Sequence, residues 1–165
     1  MAHEHPEVEM GWLGDAIGVD LMVVRFVDGW ARSYAGDGRC NEDWFGWIHD
    51  VLAPCDGAVR HTQSSEAANA PGTHTEGQAG GIVFERDDGV SIAYGHVQSI
   101  TVVEGQRVRA GDVVAKVGND GNSWHPHLHV GAWSGSTPLQ VSFDLAVRGR
   151  MLREQGETRC YGLAE

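Results

Sequence analysis

Residues 126–133 read Pro-His-Leu-His-Val-Gly-Ala-Trp, a pattern typical of a β-strand that begins just after a proline. Proline is tolerated at the start of a strand, and alternate residues of a strand lie on one face, roughly 6.6 Å apart. The side chains of His127 and His129 should therefore point into the same space. Such a pair suits a zinc site with three protein ligands and one open position. Two solvent-facing histidines on an edge strand would show the same spacing.

The rest of the chain carries the same strand pattern. Short apolar runs are separated by Asp-Gly and Ala-Gly-Asp turns, which are typical of strand ends. No segment before residue 143 keeps a helical period over three turns, and only the tail at 143–165 indicates a short helix. We predict a mainly β fold with strands at 19–27, 51–59 around a turn, 82–85, 90–97, 100–103, 108–117 around a turn, and 127–133.

Residues 61–80 interrupt this pattern. They are rich in Ser, Thr, Gly and Ala and have no apolar period, which predicts a long surface loop. Loops of this length often form lids or binding loops. We expect its two histidines, His61 and His74, to be solvated rather than to bind metal.

Length and charge limit the possible partners. A chain of 165 residues fits one domain, which we place at 1–165 with its core at about 18–133. The net charge of -11 opposes binding to nucleic acid and to anionic membranes. No stretch approaches the ~20 apolar residues of a membrane span, and no signal peptide is recognisable at the start. Compartment and oligomeric state stay open.

The cysteines do not form a recognisable framework. Cys40, Cys55 and Cys160 are odd in number and widely spaced, without a CxxC pair. We interpret them as reduced thiols.

Two further residues are candidates for the site of the histidine pair. Asp20 lies in an otherwise apolar strand, where a buried carboxylate needs a cation, a metal or several donors. A hydrogen bond to a neighbouring turn would also satisfy it. His96 follows Tyr94 and Gly95, and alternation places Ile92, Tyr94 and His96 on one face. Taken alone, a histidine at position 96 is more often a packed or surface residue than a catalytic one, and His125 is interpreted as structural.

Six motifs follow one another along residues 18–130. They are Gly18-Val19-Asp20, VLAPCDGAV at 51–59, Tyr94-Gly95-His96, VEGQRVRAGD at 103–112, GNDGNS at 118–123 and PHLH at 126–129. Each is weak alone, but the ordered series resembles the lysostaphin-like zinc endopeptidases that act on peptidoglycan. The stretch between Asp20 and the VLAP strand, including residues 41–45, is long, which indicates a divergent branch of that family.

The resemblance implies a two-layer antiparallel β architecture with an open groove, and a role for each site residue. By resemblance Asp20 and His129 bind Zn²⁺, while His127 and His96 serve catalysis. The implied activity is hydrolysis of a peptide bond at neutral pH, in a Gly- or Ala-containing cross-link of the bacterial cell wall. The implied partner is thus a peptide or peptidoglycan substrate.

One expected ligand is missing. The family has a zinc-binding histidine four residues before the aspartate, where this chain has Ala16, whose methyl group cannot bind metal. We expect His5 to replace it, with His3 as the alternative, since both lie upstream with enough chain to loop back. Asp15 is adjacent and could supply an oxygen ligand if the backbone turned.

Two other functions stay open at this stage. The chain could be a catalytically inactive binding or regulatory module that lost a ligand at Ala16. It could also be a carrier domain, since its strand-turn units resemble biotinyl and lipoyl domains. Carrier attachment needs a lysine at a hairpin tip, whereas Lys116, the only lysine, lies within a predicted strand.

Overall fold

The computed structural model describes residues 2–4, 16–65 and 67–154; for 2–4, 148 and 151–154 only the backbone is described. The described elements are almost all strands, with one short 3-10 turn at Asn41–Asp43. In chain order they are β1 (Ala2–Glu4), β2 (Val19–Leu21), β3 (Arg25–Val27), β4 (Trp30–Arg32), β5 (Asp50–Leu52), β6 (Gly57–Gln63), β7 (Gly81–Arg86), β8 (Val90–Gly95), β9 (Val97–Gln98), β10 (Arg107–Val108), β11 (Val113–Val117), β12 (Leu128–Ser134), β13 (Thr137–Leu139) and α1 (Leu145–Glu154).

An eight-stranded antiparallel sheet forms the main layer. Its order is β1-β2-β12-β8-β7-β6-β10, and β13 continues beside the far end of β12. β12 is therefore central, because it pairs with β2 and β13 on one side and with β8 on the other. This position explains the apolar character of the strand, whose residues Val130 and Ala132 are buried.

A three-stranded sheet, ordered β5-β11-β9, packs on the main sheet. The two sheets share one core, to which the small sheet contributes Val51, Val97, Val114 and Val117. The main sheet contributes residues such as Phe84, which is fully buried and meets Tyr94 edge-on at 5.2 Å between ring centroids. Burial of this valine-rich set is the dominant force holding the two layers together.

The prediction of a mainly β fold is confirmed, but several strands are shorter than predicted. The strand at 19–27 is broken at 22–24, and the runs at 51–59 and 108–117 each divide between the two sheets at their turns. The chain changes sheets there, because the turn residues redirect it across the shared core.

The strand predicted at 100–103 is wrong. Thr101 N donates to Val114 O at 2.9 Å, but the next residues leave the sheet, and Val103 N donates to the side chain of Gln106. One backbone bond does not make a ladder. The loop predicted at 61–80 begins later, because 61–63 belong to β6.

The predicted C-terminal helix is confirmed as α1. Asp144 caps it, since its Oδ1 accepts hydrogen bonds from the backbone N–H groups of Ala146 and Val147, both at 2.9 Å. Along the described residues, no helix has the length and apolar character needed to cross a bilayer.

Candidate active site

Strand register collects the site residues on the outer face of the main sheet. Asp20 on β2 is directly opposite His129 on β12, and His129 is opposite Gly95 on β8. On the other side, the backbone of His3 in β1 is opposite Asp20. Directly opposed residues of an antiparallel pair share a face. Their neighbours Val19, Val130 and Tyr94 belong to the core, so Asp20 and His129 lie on the face opposite the core.

Gly95 leaves room for His129. A Cβ atom at position 95 would lie 3.3 Å from the Cβ of His129, closer than most side chains tolerate. The glycine in the Tyr-Gly-His motif is thus explained by the ring beside it.

Both histidines of the PHLH motif contact the side chain of Asp20. Its Oδ1 lies 3.0 Å from His129 Nδ1 and 3.4 Å from His127 Nε2, so both imidazoles face one carboxylate oxygen. Burial by itself would raise the pKa of Asp20, but hydrogen bonds and charge interactions with His127 and His129 outweigh it and hold the pKa far below its ordinary value. Asp20 is therefore an ionised carboxylate at neutral pH.

The other nitrogen of His127 is held by the backbone. Its Nδ1 lies 2.8 Å from the carbonyl oxygen of His125 and 3.2 Å from Ser123 Oγ. A carbonyl only accepts, so Nδ1 carries a proton, and Nε2, 3.4 Å from Asp20 Oδ1, donates to the carboxylate when the ring is protonated and presents a lone pair when the ring is neutral. His127 is buried, at 6% exposure, which shields this nitrogen from bulk water.

His96 reaches the same cluster through an unusual backbone turn. β8 ends at Gly95, and His96 has a positive φ of 59°. The prediction that it shares a face with Ile92 and Tyr94 is therefore wrong: Tyr94 packs in the core, whereas the His96 ring lies 4.6 Å from the ring of His127. The left-handed residue turns the side chain across the end of the strand.

His96 is oriented in the same way as His127. Its Nδ1 lies 2.7 Å from the carbonyl oxygen of Asp120, which can only accept, so Nε2 is left as the unprotonated nitrogen of the neutral ring. The side chain is 14% exposed. The rings of His96 and His127, each with its Nδ1 held by a backbone carbonyl, thus stand side by side, and the ring of His127 meets the Asp20 carboxylate.

His125 lies closer to the site than the sequence suggested. Its ring stacks on Trp44 at 4.8 Å between centroids and lies 5.3 Å from the ring of His127. Among the described residues, its Nδ1 is the buried side-chain polar atom without a hydrogen-bond partner. Burial first, and then the neighbouring His127, lower the pKa of His125, so its ring is neutral at neutral pH.

The two histidines of the predicted loop at 61–80 are exposed to solvent. His61 is exposed and contacts Glu104 at 2.8 Å, and His74 is exposed and packs against Trp124 at 4.3 Å between centroids. Both placements agree with the expectation that they are solvated. Cys40 and Cys55 are free thiols, and Cys160 lies outside the described residues.

The donor atoms of Asp20 and His129 suit a zinc ion. Two ligands bound at about 2.0–2.1 Å on a tetrahedral zinc lie about 3.3 Å apart. The oxygen and nitrogen here are 3.0 Å apart, and the carboxylate is ionised. Within the side chains that the structure describes, no group of three His, Cys, Asp or Glu residues is placed to hold a metal.

The candidates for the missing third ligand are only partly described. Ala16 is buried in the turn before β2, while His5 and Asp15 lie outside the described residues.

An almost all-β protein that places two imidazoles against one ionised carboxylate, and a third imidazole beside them, has the groups that hydrolases use for proton transfer. A model of peptidase family M23 matches residues 48–141, more than half of the chain. The chain belongs to peptidase family M23. His96, His127 and His129 lie inside the matched segment, and Asp20 precedes it.

Solved structures resemble the chain to similar degrees. The catalytic domain of lysostaphin from Staphylococcus simulans is 22% identical with a TM-score of 0.49, over 76% of this chain and 77% of that one. A zinc-containing peptidase from Vibrio cholerae is 26% identical with a TM-score of 0.45, over 56% of this chain and 25% of that one. The chain thus spans a quarter of the Vibrio protein. The catalytic domain of the prophage-encoded M23 protein EnpA from Enterococcus faecalis, as a variant, is 22% identical with a TM-score of 0.46, over 66% of this chain and 85% of that one.

Proposed function

We propose that the protein is a zinc-dependent endopeptidase that hydrolyses peptide bonds in bacterial cell-wall cross-links. The observation that carries the proposal is the 3.0 Å separation of Asp20 Oδ1 and His129 Nδ1 on adjacent strands, beside two imidazoles with fixed tautomers. Membership of peptidase family M23 supports hydrolysis of a peptide bond. The cell-wall substrate rests on the resemblance of the motif series.

The proposed ligands are Asp20, His129 and a histidine of the N-terminal segment. The sequence alone favours His5, but the strand register favours His3, whose backbone is directly opposite Asp20 just as that of His129 is. Three successive strands would then supply one ligand each, on one face of the sheet. His5 stays the alternative.

When bound, zinc polarises a peptide carbonyl and makes a water molecule acidic near neutral pH. The chain itself supplies the proton acceptors. In the neutral ring of His127 the proton is on Nδ1, which is held by a carbonyl, so Nε2 can take a proton from the attacking water and return it to the leaving amine. His96, 4.6 Å away between ring centroids, has the same orientation, so its Nε2 accepts a proton in the neutral ring and, once protonated, donates to the carbonyl oxygen as negative charge develops there.

The proposal is tested by metal content and hydrolysis in untagged protein. We expect one zinc per chain, and release of amino groups from purified peptidoglycan. His129→Ala should lose zinc and activity together. His127→Ala and His96→Ala should keep zinc and lose hydrolysis by about 100-fold or more, the usual contribution of a general acid or base. His61→Ala is the matched control, since the His61 side chain is exposed and has no role in the proposed site. Unchanged zinc content in His129→Ala would refute the assignment.

The third ligand is tested separately with His3→Ala and His5→Ala. The variant that lacks the ligand should bind zinc more weakly in a competition titration with a chelator, whereas the other should match the parent. If both match the parent, the N-terminal segment does not supply the ligand.

The second candidate function is an inactive binding or regulatory module. It is favoured by Ala16, which is buried at the position of the missing histidine. Under that alternative the parent protein is purified without zinc, and Ala16→His creates binding. Zinc in the parent, released by His129→Ala, contradicts it.

A further inference from the structure

A chain of buried polar side chains runs beneath the candidate active site. Asn119 is fully buried, and Ser123 and Asn69 are nearly so, at 1% and 6% exposure. Asn41, from the 3-10 turn of the long segment between β4 and β5, joins them at the edge. Buried amides and hydroxyls are costly unless every polar atom is paired, so their mutual bonds are strongly specified.

The direction of these hydrogen bonds is set by a backbone carbonyl. The carbonyl oxygen of Asn69 accepts from Asn41 Nδ2 at 2.8 Å and from Asn119 Nδ2 at 3.2 Å. Asn119 Nδ2 also donates to Asn41 Oδ1 at 3.0 Å. Since these acceptors require the amino group of Asn119 on their side, its carbonyl oxygen must face the other way, toward Ser123.

The chain continues from Asn119 to His127. Ser123 Oγ lies 2.8 Å from Asn119 Oδ1 and donates its proton there, so that a lone pair of Oγ is left for His127 Nδ1 at 3.2 Å. The Ser123 hydroxyl also lies 2.9 Å from the carbonyl of His125, the main acceptor of His127 Nδ1. The polarity of the whole series thus agrees with a proton on Nδ1, which leaves Nε2 as the nitrogen that gains or loses a proton.

The long segment between β4 and β5 also contacts the loop that precedes His127 at a second point. Trp44, next to the 3-10 turn, stacks on His125 and is itself anchored, because its Nε1 donates to Gly38 O at 3.0 Å. Asn69, from the loop at 64–80, holds the same loop through its side-chain amide, which donates to the carbonyls of Gly121 and Ser123, both at 2.9 Å. Two chain segments far apart in sequence therefore hold the residues just before His127.

We propose that Asn41 and Asn119 are positioning residues that fix the ring of His127 through Ser123. The long segment between β4 and β5 then acts as part of the active-site support and not as a passive insertion. The proposal rests on the proposed function in one respect, that His127 transfers a proton. Its structural part, control of the Nδ1–H of His127, is independent of any activity.

The first measurement is exchange of the His127 Nδ1 proton with water, by nitrogen-15 nuclear magnetic resonance of the full chain. We expect a slowly exchanging proton in the parent, and exchange about tenfold faster in Asn41→Ala and Ser123→Ala, because each removes one buried hydrogen bond of the series. Asn122→Ala is the matched control, an exposed asparagine in the same loop.

The second measurement is hydrolysis of a glycine-containing cross-link peptide by the zinc-loaded protein. We expect kcat to fall roughly tenfold in Asn41→Ala and in Ser123→Ala with KM nearly unchanged, and the double variant to lose no more than Ser123→Ala alone, since the residues act in series. Additive losses, or exchange in Asn41→Ala equal to that in Asn122→Ala, would overturn the proposal. Ser123→Ala decides it if Asn41→Ala does not fold.

The two proposals fail in different ways. A parent that hydrolyses no peptide refutes the proposed function, while the exchange rates still decide whether Asn41 and Asn119 hold His127. A parent that hydrolyses the peptide, with exchange unaffected by Asn41→Ala, refutes the positioning role alone.

Discussion

Each catalytic candidate is a histidine whose two nitrogens have separate tasks. In His127 and His96, Nδ1 is held by a backbone carbonyl, and this leaves Nε2 as a proton acceptor. In His129 the orientation is reversed, since Nδ1 itself meets the Asp20 carboxylate. Under the proposed function, the backbone carbonyls thus leave Nε2 of His127 and His96 for proton transfer, whereas Nδ1 of His129 is the nitrogen that would bind the metal.

His125 makes stability depend on pH. Burial and the neighbouring His127 lower its folded pKa, so the unfolded chain takes up a proton on this residue at a higher pH than the folded protein. The stability contributed by the neutral ring is fully present above the unfolded pKa of about 6.5 and is lost as the pH falls from there through the lower folded pKa.

We predict that His125→Phe reduces this loss. Phenylalanine keeps the stack on Trp44 and removes the buried Nδ1 that has no partner. Urea unfolding at constant zinc should show a smaller fall in the free energy of unfolding between about pH 7.5 and about pH 5.5 than in the parent. His49→Asn, at an exposed position, is the control. Parallel pH dependence in parent and His125→Phe would contradict the prediction.

At the scale of elements, short segments between strands place the site. His96 lies between β8 and β9, and the loop at 64–80 returns to the sheet at Gly80. There Gly80 O accepts from Val97 N at 3.2 Å, and Gly80 N donates to Asp120 Oδ1 at 3.2 Å. One glycine thus connects the loop, the strand after His96 and the residue whose carbonyl holds the His96 ring.

We predict that Gly80→Ala destabilises the protein by about 3 kcal/mol, the upper range for overpacking a tight site. A Cβ atom at position 80 would lie 1.9 Å from the carbonyl oxygen of Val97, which is backbone and cannot move aside without breaking the strand. Chemical denaturation measures the loss. Gly77→Ala in the same loop is the control, because its nearest neighbour would be 3.7 Å away. Equal stability of the two variants would show that the backbone around Gly80 and Val97 can move to accept a methyl group, which contradicts the prediction.

At the scale of the whole molecule, the two sheets share one core, while the site lies on the outer face of the larger sheet. Residues 18–133 carry both the core and the candidate site, which supports the proposal of a single domain. Because the core does not depend on the site, loss of a site side chain should lower function more than folding.

We predict that zinc at 100 times its dissociation constant raises the free energy of unfolding by about 2.7 kcal/mol, provided that it binds only the folded chain. Calorimetry with and without a chelator should show one cooperative transition that shifts to lower temperature when metal is removed. His129→Ala should have the stability of the chelated parent and be insensitive to chelator. A parent that is equally insensitive would contradict a site built on Asp20 and His129.

The sequence alone determined the β class, the C-terminal helix and the identity of the clustered residues Asp20, His96, His127 and His129. The β class and the helix follow from local patterns, because alternation and turn residues are properties of neighbouring positions, whereas the site residues follow from the resemblance of the ordered motif series. Only the tertiary structure decided that His96 turns away from Tyr94, that β1 sets His3 opposite Asp20, and that Asn41 and Asn69 meet beneath His127. These depend on register and on contacts between distant segments, and no local pattern specifies which buried amide will find which partner.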